Sequence, residues 1–220
     1  MKEKFKDLTK EEKEEKFNGL INYANKIKNK SLRNVCINIL NDFKEELSCR
    51  GAGHDGIEKF KYNRTHQCFD GGLLDHLLNV TKISYNIALT YEKDIDIDLI
   101  LFGAILHDLG KIKIFDKYDK ENEIHSNLNY NYLLVDHVYI GEKIVEEYLS
   151  KEDISDKLKY QALHIIATHM DTLDKHMAEA YIVSYADEID AYIENIISYP
   201  RNSINPLFNT YFYESDNSDK

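Results

Sequence analysis

Proline is almost missing from this chain: two residues in 220, beside nine glycines. With the two strongest breakers of regular structure so scarce, long helices are the expected content. No Gly/Pro/Ser-rich stretch divides the sequence, and its length suffices for a full core, so one compact domain is expected. Long apolar runs are absent too. None approaches the roughly 20 residues needed to span a bilayer, so no membrane partner is expected. Residues 1–16 are charged throughout and lack an apolar core or a small-residue cleavage site, which argues against export. Cysteine is confined to Cys36, Cys49 and Cys68, odd in number and without CxxC spacing. That excludes a disulfide framework and a thiolate zinc knuckle, and suits reduced thiols in a cytoplasmic protein.

Basic charge is also short. The formal net charge of −11 argues against tight binding to long duplex DNA or RNA, whose usual partner surface is basic. The deficit is uneven: residues 1–33 carry ten Lys/Arg against six Asp/Glu, while residues 116–156 carry eleven acids against four lysines. A bound cation would add positive potential that a side-chain count omits. A short single-stranded nucleic acid or a nucleotide therefore stays open as a partner.

What is present is helical period. From Lys10 to Glu46 the apolar residues Phe17, Leu20, Ile21, Ala24 and Ile27, then Leu32, Val35, Ile39, Leu40 and Phe43, recur at three- and four-residue steps. Two amphipathic helices are predicted, breaking near Asn29 to Ser31. A glycine-bearing irregular segment runs to about Asp70, which is expected to cap a leucine-rich helix ending near Tyr91. Asp96 to Leu109 is almost continuously apolar and is expected as a buried central helix. Phe115 to Tyr132 reads as an exposed excursion, and Val135 to Leu149, Ile154 to Thr168 and Met177 to Ile197 resume helical spacing. The organisation read from this is a helical lead-in over residues 1–60 packed on the same domain, a main body over 61–200, and a polar tail over 201–220.

Set on these helices are four short strings that carry chemistry: Gly71 to His76, His107 to Lys111, Asp136–His137 and Ala186–Asp187. The adjacent His107 and Asp108 offer one nitrogen and one oxygen ligand, and His76, His137 and Asp187 could complete a metal shell if helices bring them together. Imidazole and carboxylate favour borderline or hard divalent ions. A His-Asp pair alone says little, since it also occurs as His54–Asp55 in a glycine-rich loop. The second copy ends a buried helix, where charged groups without partners would be expensive. On a helix Lys111 would share a face with Asp108, where it could neutralise a phosphoryl oxygen.

Each candidate has a bland alternative. His76 could be an ordinary core histidine, His137 a surface histidine beside Asp136, and Asp187 a helix-face acid. Asp190, three residues past Asp187, shares its face and is expected to orient a ligand. His164 and His169 lie five apart, about 140° around a continuous helix, so both cannot easily face one ion. His169, near a helix end, is favoured as a ligand, with His164 as a supporting or second-metal residue. His66, in the loop before Gly71–Gly72, could bind substrate or protonate a leaving oxygen.

At these residues the chain resembles the HD superfamily of metal-dependent phosphohydrolases, and most of all the HD domain of YhaM-type 3′-to-5′ exoribonucleases. His66 to His76 is similar to that family's His-His-x-x-x-Gly-Gly-Leu-Leu-x-His. Gly103 to Lys111, His137 with Ile140–Gly141, His164 to His169, Glu179–Ala180 and Tyr185 to Asp190 continue the match, which extends from about Asn18 to Ile197. The resemblance implies an all-α HD-domain helical bundle. It also implies a core metal shell of His76, His107, Asp108 and Asp187, with His137 and His169 toward a second ion. The cofactor would be one or two divalent ions, with Mn, Fe, Ni, Co, Mg and Zn not distinguished. Asp108, Lys111 and His66 are the expected catalytic groups.

Three features depart from that pattern. No segment is long enough for the family's RNA-gripping OB-fold, Gln67 and Met170 stand where histidines are expected, and a Gly-Ser-Pro-containing loop between His169 and Glu179 is missing. The Gly-Tyr-Pro signature of cyclic-di-nucleotide phosphodiesterases is absent, and Gly110–Lys111 replaces the Glu-Asp of alarmone hydrolases. The expected activity is cleavage of a phosphodiester in a short single-stranded nucleic acid or a nucleotide. The alternatives are a nucleotide phosphomonoesterase and a non-catalytic module that binds a nucleotide or a partner protein.

Overall fold

The computed structural model describes residues 7–53, 66–91, 93–117, 134–170 and 174–198. The His54–Asp55 pair, most of the excursion after Phe115 and the tail over 201–220 lie outside the described residues. Within them the chain is all-α: α1 (Lys10–Ala24), α2 (Lys30–Asp42), α3 (Lys44–Ser48), α4 (Gly72–Thr90), α5 (Ile97–Leu106), α6 (Lys111–Ile114), α7 (His137–Leu149), α8 (Asp156–Ala167) and α9 (Ala178–Ser198). None of these helices is long and apolar enough to cross a membrane.

The caps follow the side chains that precede each apolar run. Thr9 and Glu12 form a reciprocal capping box at α1, and Asn29, Asp96, Asp136 and Ser155 accept from first-turn amides of α2, α5, α7 and α8. The break between the first two helices comes slightly earlier than the periodicity suggests. Asn29 caps α2, and the Asp98 carboxylate accepts from the amides of Lys28 (2.9 Å) and Asn29 (2.7 Å), holding the linker open. Phe43, at φ −110°, separates α2 from the short α3, which the apolar period does not distinguish.

The start of α4 corrects the sequence reading. Asp70 does not cap it; its carboxylate pairs with Lys13 at 2.7 Å. Gly71 takes the cap position at φ +89°, a left-handed conformation that glycine adopts at no steric cost. The first amides of α4 bond instead to the carbonyls of Phe69 (2.8 Å, from Gly72) and Arg50 (2.9 Å, from Leu73). A turn of backbone stands in for the side-chain cap.

The core is built around α5, whose residues from Leu99 to Leu106 are all buried. It packs against α4, α8, α9, α2 and α1, so no polar face is possible. Phe102 is the largest of its fully buried side chains. The helix ends at Leu106, before the predicted Leu109, because the chain turns at 107–110 to meet the start of α7. A Cβ on Gly110 would stand 1.9 Å from the His137 carbonyl oxygen. Only glycine permits that approach, and it sets the turn carrying His107 and Asp108 against the first residue of α7.

Candidate metal centre

Five chain segments meet at Asp108. His76 projects from the first half of α4, His107 and Asp108 from the turn after α5, His137 from the first residue of α7, His169 from just past α8, and Asp187 from α9. His76, His107, Asp108 and His169 are at most 1% exposed, and Asp187 is 9% exposed. Among the described residues three sets of donor atoms lie within 4.8 Å of one another: His76, His107, Asp108 and Asp187; Asp108, His137 and His169; and His66, His76 and Asp190. Asp108 belongs to the first two. Its Oδ2 lies 3.1 Å from His76 Nε2 and 3.4 Å from His107 Nε2, while its Oδ1 lies 3.3 Å from His137 Nε2 and 3.5 Å from His169 Nε2.

The other ring nitrogen of each histidine is already committed. Nδ1 of His107 lies 2.9 Å from the Ala104 carbonyl oxygen, Nδ1 of His169 lies 2.7 Å from that of Ile166, and Nδ1 of His76 lies 2.7 Å from Asp190 Oδ2. Nδ1 of His137 lies 2.9 Å from Asp136 Oδ1. Carbonyls and carboxylates only accept, so each Nδ1 carries the hydrogen and, in the neutral ring, Nε2 carries the lone pair. His76 Nε2 and His107 Nε2 then face each other at 3.3 Å, with Asp187 Oδ1 only 3.0 Å from the first. Lone pairs and carboxylates converging in a buried space repel unless a cation lies among them.

The same need shows in unmet hydrogen bonds. Asp108 Oδ1, His137 Nε2 and His169 Nε2 are buried without a hydrogen-bond partner. Buried polar atoms are seldom left so, and a metal ion is one of the few things that satisfies carboxylate oxygens and imidazole lone pairs together. The residues present therefore fit a divalent ion. Lys111 supplies the nearest ammonium, its Nζ 2.5 Å from Asp108 Oδ2.

The electrostatics agree. Burial opposes charge on Asp108, yet Lys111, His107 and His137 outweigh it and hold the carboxyl well below the usual range. Asp187 is likewise held low against its burial, by His76 and His107. Burial also opposes a proton on His76, but Asp108, Asp187 and Asp190 together raise its pKa well above the ordinary value while no ion is bound. The ring of His66 packs tilted against that of His76, with centroids 4.5 Å apart and an interplanar angle of 48°. Burial, with His76 and Lys111 nearby, pushes its pKa down to about 3, so it is neutral at physiological pH.

His164 does not join the cluster. Its Nε2 accepts from the His176 amide at 3.1 Å and its ring stacks on that of His176. Asp190 does join, by its bond to His76. Gln67 had no signal in the sequence beyond occupying a histidine's place. It is fully buried, and its Nε2 donates to Asp190 Oδ2 at 2.8 Å while its Oε1 lies 2.7 Å from His66 Nδ1.

Comparison with known proteins agrees with this geometry. Residues 73–192, more than half of the chain, match the HD domain family. The chain belongs to that family. The HD match spans His76, His107, Asp108, His137, His169, Asp187 and Asp190, and begins after His66 and Gln67. A curated relative from Methanocaldococcus jannaschii, a dihydroneopterin 2′,3′-cyclic phosphate phosphodiesterase, is 30% identical over 189 residues, covering 80% of this chain and 70% of that protein. No solved structure matches the chain. This HD protein is accordingly a metal-dependent hydrolase of the phosphodiesterase kind, and its cofactor is a divalent metal.

Proposed function

We propose that the chain hydrolyses the phosphodiester of a small nucleotide-like molecule, a 2′,3′-cyclic phosphate in the first instance, giving a phosphomonoester. The observation that carries this is the buried Asp108 carboxylate shared by two donor sets, with the Lys111 ammonium on its Oδ2. The name of the Methanocaldococcus jannaschii relative points to the cyclic ester, and a net charge of −11 favours one phosphate group over a polyanion.

His76, His107, Asp108 and Asp187 would hold one ion, and Asp108, His137 and His169 a second. The chemistry such an ion would supply there is polarisation of the phosphoryl group and a lowered pKa for a water. Lys111, 12% exposed and paired with Asp108, would neutralise a non-bridging phosphoryl oxygen as charge builds in the transition state. In the hydrolysis a water oxygen bonds to phosphorus, one ring P–O bond breaks, and the water's proton ends on the released ribose oxygen. His66, neutral and with its ring tilted against that of His76, is placed to accept a hydrogen bond from water or from a substrate hydroxyl.

A second reading, removal of nucleotides from the 3′ end of a short single strand, is favoured by the motif run from His66 to His76 that resembles YhaM-type exoribonucleases. Both readings meet one experiment. Manganese-loaded protein and its Asp108→Ala variant are incubated with 2′,3′-cyclic mononucleotides and with a 5′-labelled oligoribonucleotide bearing a 5′-phosphate. Nucleoside monophosphate from the cyclic substrate supports the first reading, and a descending ladder supports the second. Release of the 5′ label as free phosphate would mean a phosphomonoesterase. Turnover unchanged by Asp108→Ala would refute the site.

A further inference from the structure

Gln67 is the one side chain of this region in a costly backbone conformation. Its φ is +44°, and among the described residues no other non-glycine has positive φ. L-residues avoid that region because Cβ crowds the backbone, so a glutamine retained there points to a use for its side chain. The backbone is pinned: the Gln67 carbonyl accepts from the Ala52 amide at 3.1 Å, and a Cβ on Gly72 would stand 2.0 Å from the same oxygen. The side chain is fully buried and both ends of its amide are engaged.

The direction of that amide follows from its neighbours. Asp190 is a carboxylate that accepts from Gln67 and from His76 Nδ1 on the same oxygen, so it must be met by the Gln67 NH2 group. Oε1 is therefore the end that faces His66, and an amide oxygen can only accept. His66 must give it the Nδ1 hydrogen. In the neutral ring the lone pair is then on Nε2, the reverse of the arrangement that free histidine prefers.

We propose that Gln67 is a positioning residue: its amide holds the His66 imidazole by Nδ1 and ties it to Asp190, leaving Nε2 as the nitrogen that His66 offers to substrate. A continuous chain of hydrogen bonds, His66 to Gln67 to Asp190 to His76, thus sets a loop histidine and a metal-ligating histidine from one carboxylate. The glutamine is not a histidine ligand lost. It converts the position into a strut that fixes which face of His66 meets the substrate. What Nε2 touches rests on the phosphodiesterase reading above; the hydrogen-bond chain does not.

The test uses zinc-loaded, ring-15N-histidine-labelled protein and long-range proton–nitrogen spectra, with His66→Ala to identify the His66 signals. The wild type is expected to show Nδ1–H and an unprotonated Nε2 on His66. Gln67→Met, of similar volume but without the amide, should move His66 toward the Nε2–H form while leaving zinc content unchanged. On bis(p-nitrophenyl) phosphate, Gln67→Met should lower kcat/KM by about 10- to 100-fold, the usual range for residues that orient a site. In a His66→Ala background it should lower it no further. A wild-type His66 carrying Nε2–H overturns the proposal without any variant, which covers the case of a Gln67→Met protein that does not fold. An equal loss of activity in the His66→Ala background also overturns it, since Gln67 would then act through Asp190 and the metal. A wild type that hydrolyses no phosphodiester defeats the proposed function, and the ring spectra still decide the role of Gln67.

Discussion

Replacing Asp108 by asparagine should empty the centre built on it, because its carboxylate is common to the two donor sets that meet there. Asparagine keeps the shape but removes the charge and turns one oxygen into an NH2 donor, which faces imidazole lone pairs it cannot help to bind an ion. The expected ion content after loading and desalting is graded. Wild-type protein holds up to two ions per chain, His137→Ala and His169→Ala hold one in the His76, His107, Asp108 and Asp187 set, and Asp108→Asn holds none. Stability should follow the same order. An ion present at 100 times its dissociation constant stabilises the folded state by about 2.7 kcal/mol. At about 2–4 °C per kcal/mol for a chain of this size, a single ion raises Tm by about 5–10 °C. Elemental analysis gives the count, and thermal scans with and without a chelator give the increment. An Asp108→Asn protein that retains an ion, or a His137→Ala protein that loses both, would show that Asp108 is not shared.

The remaining expectations concern pH, charge and packing. In chelator-stripped protein the raised pKa of His76 contributes stability that is complete below its unfolded value and is lost as pH rises through the folded one. Ion binding needs the neutral ring, so its contribution runs the opposite way. The gap in Tm between loaded and stripped protein should therefore widen as pH rises above the ordinary histidine pKa of about 6.5; a gap that narrows would refute the carboxylate environment assigned to His76. Lys111→Met should cut kcat by about 100-fold or more with metal content intact, as removal of a transition-state donor does; loss of metal instead would make Lys111 structural. Phe102→Ala in the middle of α5 should cost about 3–5 kcal/mol in denaturant titrations, the usual range for deleting a fully buried aromatic. A cost under about 1 kcal/mol would mean the core collapses around the gap.

The helices were legible because their signals are local. Proline scarcity, three- and four-residue apolar steps and capping side chains at Asn29, Asp96 and Asp136 act within a turn of the residues they shape. Where a boundary depends on distant chain, the sequence misleads. Asp70 has the chemistry of a cap but is drawn to Lys13 on α1, and the Arg50 carbonyl takes the amide it would have served. The candidate site divides in the same way. Side chains that meet at Asp108 were nameable from motif spacing, whereas their backbone partners, the carbonyls of Ala104 and Ile166, leave no trace in residue type. His164 is the converse case: a histidine at motif spacing that the helix turns toward His176.

Gly110 shows why the His-Asp pair is so placed. The chain leaves α5 in three-residue turns, the Leu109 amide donating to the Leu106 carbonyl at 3.1 Å and the Lys111 amide to the Asp108 carbonyl at 3.0 Å. These turns lay the Gly110 backbone against the His137 carbonyl, where a Cβ would stand at 1.9 Å. Gly110→Ala must therefore push the turn and the first residue of α7 apart. Since His137 is that residue, the alanine should cost the Asp108, His137 and His169 set its ion while sparing the set that includes His76, His107 and Asp187. One ion per chain in Gly110→Ala, with a fold intact by circular dichroism, is the expected result. Two ions would mean that α7 yields without moving His137, and that the glycine serves the turn alone.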